Sequence, residues 1–139
     1  LKPGEASMSH IKKWLEAHPD QADSIYHENA RFIFHRLLNT EGPLGAHGVP
    51  LHTGRSLAVD RSFIPLGALL WLDTTGPDKE PLQKLVVAQD IGSAIKGCVR
   101  GDYFWGSGAD DVLDKAGRMN SQGRYYLFLP KITETTNAQ

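Results

Sequence analysis

Three aspartates, Asp60, Asp90 and Asp102, are the residues whose type and setting best suit chemistry. Asp60 follows Leu57-Ala58-Val59, Asp90 follows Val86-Val87-Ala88-Gln89, and Asp102 follows Gly101. The apolar runs read as short strands, and strand ends are where a rigid scaffold holds side chains over a cleft. A carboxyl group held there can give and take a proton. Around Asp90, the run Gln89-Asp90-Ile91-Gly92-Ser93-Ala94-Ile95-Lys96-Gly97 gathers an acid, small residues and a base. Its glycines permit sharp turns and close approach to a ligand. Asp102 is followed by Tyr103, Phe104 and Trp105, with Gly101 and Gly106 flanking the group. A carboxylate beside three aromatics suits a sugar. Rings stack on the apolar faces of pyranoses, and apolar neighbours favour the protonated carboxyl by desolvation.

Each of these residues also has a plainer reading. A single strand-end Asp commonly serves a turn or a cap. Asp60, followed by Arg61 and Ser62, reads most simply as a turn or a structural ion pair. Tyr103 and Trp105 fit a core as well as a sugar platform, and Lys96 fits a solvated surface. Taken singly, each of the three aspartates reads as structural; the joint motif that carries the resemblance given below reverses this for Asp102 and leaves Asp90 evenly balanced. The six histidines lie in the first half of the chain, and none shows the helical i, i+4 pairing with a following carboxylate that marks many zinc sites. His47 and His52 share a Gly-rich loop and are the pair worth testing, but neither a metal nor a cofactor is expected. Cys98, the lone cysteine, reads as a small buried hydrophobe and excludes an intrachain disulfide.

The elements that must position these residues follow from local pattern. The spacing of Met8, Ile11, Trp14 and Leu15 predicts an amphipathic helix over 7–17, capped by Ser7 or Ser9 and ended by Pro19. A second short helix is expected over 20–29 with Asp20 as its cap. Alternation of Phe32, Ile33 and Phe34 predicts a strand over 31–38. Glycine and proline dominate 42–54, which reads as loop. Further strands are expected at 56–59, 68–72, 84–88 and 124–129, separated by turn signals, with one helix at 109–119 between them. Short strands so punctuated suggest a small barrel or sandwich.

The chain has 139 residues, enough for one domain with a buried core. A net charge of −1 with interleaved signs gives no basic patch for nucleic acid. No run approaches the roughly 20 apolar residues of a membrane span. The chain begins at Leu1, which fits a processed or excised product, so any export signal would have lain upstream.

Three stretches together resemble the 3D (three-aspartate) domain as found in MltA-type membrane-bound lytic transglycosylases. They are Ala58 to Gly67, Ala88 to Gly97 and Gly101 to Gly106, in the family's order and spacing. Gly42 to Ala46, Gly123 to Pro130 and the opening helices add to the likeness, which runs from about residue 7 to 131. The resemblance implies a mainly β fold: a six-stranded double-psi β-barrel with short N-terminal helices and one helix inserted between strands. It implies a helical lead-in and first strand over 1–40, near the junction with a second domain that this chain lacks. The barrel domain would occupy 41–132, and a frayed tail 133–139.

It implies, too, an enzyme that cleaves the bond between N-acetylmuramic acid and N-acetylglucosamine in peptidoglycan, forming 1,6-anhydromuramic acid without water. Asp102 matches the family's single acid–base, with Asp90 orienting or supporting it. Asp60, Lys96, Gly92, Ser93, Tyr103 and Trp105 would support the site or bind substrate. To act as acid Asp102 must hold a proton at neutral pH. Aromatic neighbours and Asp90 would favour that, whereas Lys96 and Arg100 would oppose it if close. The partners implied are glycan strands and the N-terminal remainder of the protein. Membrane contact would come only through an upstream lipid anchor, at the periplasmic face of the outer membrane. Two alternatives stand beside this: a non-catalytic glycan-binding or interaction module, and a hydrolase using Asp90 and Asp102 as a carboxylate pair.

Overall fold

The computed structural model describes residues 7–108 and 110–131. The predicted tail from Thr133 to Gln139 lies outside the described residues. The first helix, α1 (Met8–Ala17), begins where expected, with the Ser7 hydroxyl accepting from the His10 N–H at 3.3 Å. The second, α2 (Pro19–His27), corrects the predicted start. Pro19 opens this helix, His18 is its cap, and Asp20 sits inside the first turn. Proline suits that first position because its missing N–H would have had no helical partner. Neither helix buries a residue.

The expected strand over 31–38 is not formed. Its alternation is strand-like, but a strand exists only through a partner, and no described backbone group pairs with it. Phe32, Phe34 and Leu37 are accordingly left 81%, 87% and 104% exposed.

The remaining chain builds one curled, half-barrel sheet. Its strands are β1 (Ser56–Val59), β2 (Leu69–Thr75), β3 (Pro81–Asp90), β4 (Gly101–Tyr103) and β5 (Gly123–Leu127), in the order β4-β1-β3-β2-β5. β1 and β3 are parallel and the other pairs antiparallel. The helix α3 (Asp110–Arg118) enters between β4 and β5, with Asp110 and Asp111 at its positive end. β3 is longer than expected and ends on Asp90, whereas Asp102 lies inside a strand and not after one. Cys98 is exposed in the turn before β4 and is not the buried hydrophobe expected. No described helix is long and apolar enough to cross a membrane.

The curl is visible in a single contact. β4 and β5 are opposite edges of the sheet, yet a Cβ added at Gly101 on β4 would collide with the Tyr125 hydroxyl from β5. The sheet therefore wraps round until its edge strands meet through a side chain. Leu57, Val59, Leu70, Leu72, Val86 and Ala88 are buried within it, and Tyr103, Trp105, Met119 and Tyr125 pack against them. Each buried Leu or Val side chain contributes about 1.5–3 kcal/mol by leaving water.

The loop after β1 is pinned by Asp60. This side chain is only 6% exposed. It accepts 3.0 Å hydrogen bonds from the N–H groups of Ser62 and Gly97. Gly97, at φ +109°, supplies a backbone turn that other residues rarely adopt. The Gly97 and Ser62 N–H groups hold the Asp60 carboxyl below its ordinary range, while burial opposes them and Lys96 adds a smaller attraction.

Two outcomes follow. Stability supplied by the ionised Asp60 is complete above its unfolded pKa of about 3.9 and is lost as pH falls through the lower folded value. Urea unfolding across pH 2–7 should show Asp60→Asn less stable than wild type at neutral pH and less sensitive to acid; equal acid sensitivity would refute the pinning role. Gly101→Ala should destabilise by about 1–3 kcal/mol through overpacking. Adding Tyr125→Phe should return part of that loss in thermal melts, whereas simple additivity would show that the two edges do not meet.

Candidate active site

Asp102 is positioned by a three-residue strand. In β4, Gly101 pairs with Val59, Asp102 with Ala58 and Tyr103 with Leu57. Side chains alternate along a strand, so the ring of Tyr103 packs on the core while Asp102 is presented outward. The Asp102 side chain is 57% exposed, and its Oδ1 lies 3.2 Å from Nη2 of Arg100. The Tyr103 hydroxyl donates to the Gly54 carbonyl at 2.9 Å. The Gly54 N–H donates to Phe104 O at 2.8 Å, so the Gly-rich loop before β1 is tied to the strand bearing Asp102. Tyr103 also meets Trp105 edge to face, with ring centroids 5.0 Å apart. The Trp105 indole N–H is buried without a partner among the described residues.

Burial pushes both nearby phenols above their ordinary pKa. Arg55 weakly opposes the shift at Tyr103. At Tyr125 the charge of Asp102 adds to burial and Arg100 opposes it. Both hydroxyls therefore keep their protons at neutral pH, and that of Tyr103 is the donor to Gly54.

Asp90 ends β3 and accepts from the Ala46 N–H at 2.9 Å. Alongside, the His47 N–H donates to Gln89 O at 3.0 Å. Gly45 lies so close to that carbonyl that no Cβ would fit. Asp90 thus docks the 42–54 loop on the end of the strand. A cleft of about 210 Å³ is lined by Asp90, Asp102, Tyr103, Phe104 and Ile91, among others. A second, of about 280 Å³, is lined by Arg100, Asp102, Tyr103, Trp105, Asn120 and Tyr125, among others. Asp102 and Tyr103 stand on the wall common to both. An exposed carboxylate between two depressions can deliver a proton to a bond that bridges them.

Of the residues singled out from sequence, the structure brings together Asp90, Asp102, Tyr103 and Trp105. Asp60 is buried behind them. Lys96, Gly92 and Ser93 lie in the turn after β3 and line neither cleft. Lys96 acts on Asp60. Gly92 leaves room for Ile95, whose Cδ1 would come within 2.8 Å of a Cβ there. Among the described residues no three His, Cys, Asp or Glu side chains converge as for a metal ion. Sequence reasoning named Arg100 only as a cation that would oppose Asp102 if close, which at 3.2 Å it is, and it overlooked Tyr125. Arg100 had a signal, because residues two apart on an extended chain share a face; Tyr125 had none, since only the curl brings it near.

Comparison with known proteins gives the same outline. The 3D domain family matches residues 55–129, just over half the chain, and the MltA specific insert domain matches residues 1–36. Membrane-bound lytic murein transglycosylase A of Escherichia coli (strain K12) is 33% identical over 134 residues, covering 91% of this chain and 36% of that protein. The chain thus spans about a third of the length of the curated relatives it matches. The crystal structure of MltA from Neisseria gonorrhoeae superposes with a TM-score of 0.85 at 42% identity, over 94% of this chain and 34% of that one. The structure of E. coli MltA with bound chitohexaose gives 0.77 at 30% identity, over 90% and 40% respectively. The chain belongs to the 3D domain family, in the form carried by MltA-type lytic transglycosylases.

Proposed function

We propose that this chain is the catalytic part of a peptidoglycan lytic transglycosylase in which Asp102 is the single acid and base. The observation that carries the reading is the position of Asp102, exposed on the wall shared by two clefts. A glycan crossing that wall would set one sugar in each cleft and the scissile bond over the carboxyl. Asp102 gives its proton to the oxygen joining C1 of N-acetylmuramic acid to C4 of N-acetylglucosamine, and the C1–O bond breaks. The C6 hydroxyl oxygen of the same muramic acid bonds to C1, and its proton passes to Asp102. A 1,6-anhydro end and a free 4-hydroxyl result, no water is consumed, and the carboxyl is again protonated. An internal nucleophile makes positioning the main source of rate.

Asp90 supports the site by holding the 42–54 loop, and Asp60 by holding the turn that leads to Arg100. The relatives named as lytic murein transglycosylases support this chemistry, and the chitohexaose complex supports a β-1,4-linked amino-sugar polymer as ligand. We further propose that the half-barrel closes as a six-stranded double-psi barrel with chain supplied by the rest of a longer protein. The exposed apolar residues Phe32, Phe34 and Leu37, and Tyr126 to Leu129 at the β5 edge, support a covered surface there. The relatives' description as membrane-bound supports a cell-envelope location, at the periplasmic face of the outer membrane.

The test is digestion of purified peptidoglycan by this chain, alone and with the N-terminal part of a relative, read by mass spectrometry. Anhydromuropeptides should form, and Asp102→Asn should reduce them by about 10²–10⁴-fold. Reducing muramic acid ends would instead support a hydrolase using Asp90 and Asp102, which share a cleft. Glycan binding without cleavage would support a binding module.

A further inference from the structure

The site has one cation set against its reacting carboxyl. Of the ion pairs among the described residues, only Arg100 with Asp102 lies at the clefts; the others join Arg118 to Asp78 and Asp114. The Arg100 backbone is fixed, because its N–H is bonded to Gly97 O at 3.4 Å while the Gly97 N–H is held by Asp60. Its side chain is free: 54% exposed, reaching Asp102 at 3.2 Å and lining the larger cleft. A pair this exposed shifts an equilibrium by no more than about fivefold, so another carboxylate can replace Asp102 readily. The guanidinium has five N–H donors in a planar fork that matches carboxylate geometry. The chain as a whole is nearly neutral, with a net charge of −1, so attraction of an anionic polymer depends on local cations.

Resting on the transglycosylase reading of this site, we propose that Arg100 reads a carboxylate carried by the muramyl residue, in competition with Asp102. Muramic acid differs from the units of chitin by a lactyl ether. Its carboxyl is free on bare strands; where a stem peptide is attached it is an amide, and the peptide brings carboxylates of its own. Either source presents the same chemistry to Arg100. Capture of that group draws the guanidinium from Asp102 Oδ1 and leaves the carboxyl free for proton transfer. A neutral chitin oligomer can fill the clefts but leaves the Arg100–Asp102 pair closed. Arg100 is thus a specificity-determining residue.

The experiment is calorimetric binding of four tetrasaccharides to the chain: a muramyl form with free lactyl carboxylate, its methylamide, a form bearing stem peptides, and chitotetraose. In Asp102→Asn, where nothing competes for Arg100, the free acid should bind about three- to fivefold tighter than the methylamide, and in the wild-type chain, where Asp102 competes, the preference should be smaller. Adding Arg100→Gln to Asp102→Asn should reduce the ratio to one, while Arg100→Lys keeps part of it. Stem-peptide strands binding as tightly as the free acid would assign the carboxylate to the peptide as well, whereas binding like the methylamide would assign it to the lactyl group. Equal binding of acid and methylamide by Asp102→Asn, or an unchanged ratio when Arg100→Gln is added to it, would overturn the inference and leave the glycan reading intact. Failure of every probe to bind, with no anhydro product formed, even with the N-terminal part of a relative present, would overturn both.

Discussion

The Tyr125 hydroxyl fills the space where residue 101 would carry a side chain, and much else follows from that contact. A five-stranded sheet left flat would expose its apolar face and hold Gly101 and Tyr125 at opposite edges. Wrapped, it buries Leu57, Leu70, Leu72 and Val86 on the inside. It also brings β4, only three residues long, under the cover of β5 and the segment after α3. A strand so short has little stability of its own. It is held by pairing with β1, by the Tyr103 bond to Gly54 and by Tyr125 across the curl. Asp102 takes its position from these three constraints.

The three aspartates then differ by how fully the backbone engages them. Among the described residues, Asp60 is buried and receives two backbone N–H donors, Asp90 receives one, and Asp102 receives none and faces solvent and Arg100. A carboxylate that accepts several backbone hydrogen bonds is fixed in its ionised form and serves structure. One that meets only an exposed guanidinium can exchange that partner. The same residue type thus anchors backbone at two positions and, in the proposed function, is left available for chemistry at the third. The plain reading of Asp60 as a turn residue is what the Ser62 bond describes.

Local patterns made β1, α1, the loop over 42–54 and the helix between the last strands legible, because hydrophobic period, caps and glycine act within a few residues. The three aspartate motifs were legible together because their order survives in a linear string. Three features were not legible. The 31–38 stretch alternates like a strand, yet pairing depends on a partner that periodicity cannot supply. Asp102 reads as the end of an element because β4 is too short to show alternation. Tyr125 lies 23 positions from Asp102, and nothing in its neighbourhood announces the contact. What escaped sequence is long-range at the 31–38 stretch and at Tyr125, and at Asp102 it is the brevity of β4.

The central claim is that one carboxyl acts as acid and then as base toward the sugar's own hydroxyl. Its most direct measurement is cleavage of glycan strands in water enriched in oxygen-18, with the label in both new ends read by mass spectrometry. A single-carboxyl transglycosylase should leave both ends unlabelled and the muramyl end lighter than a reducing end by one water. One solvent oxygen at the muramyl C1, in cleavage that still required Asp102, would contradict the claim and assign the site to hydrolysis.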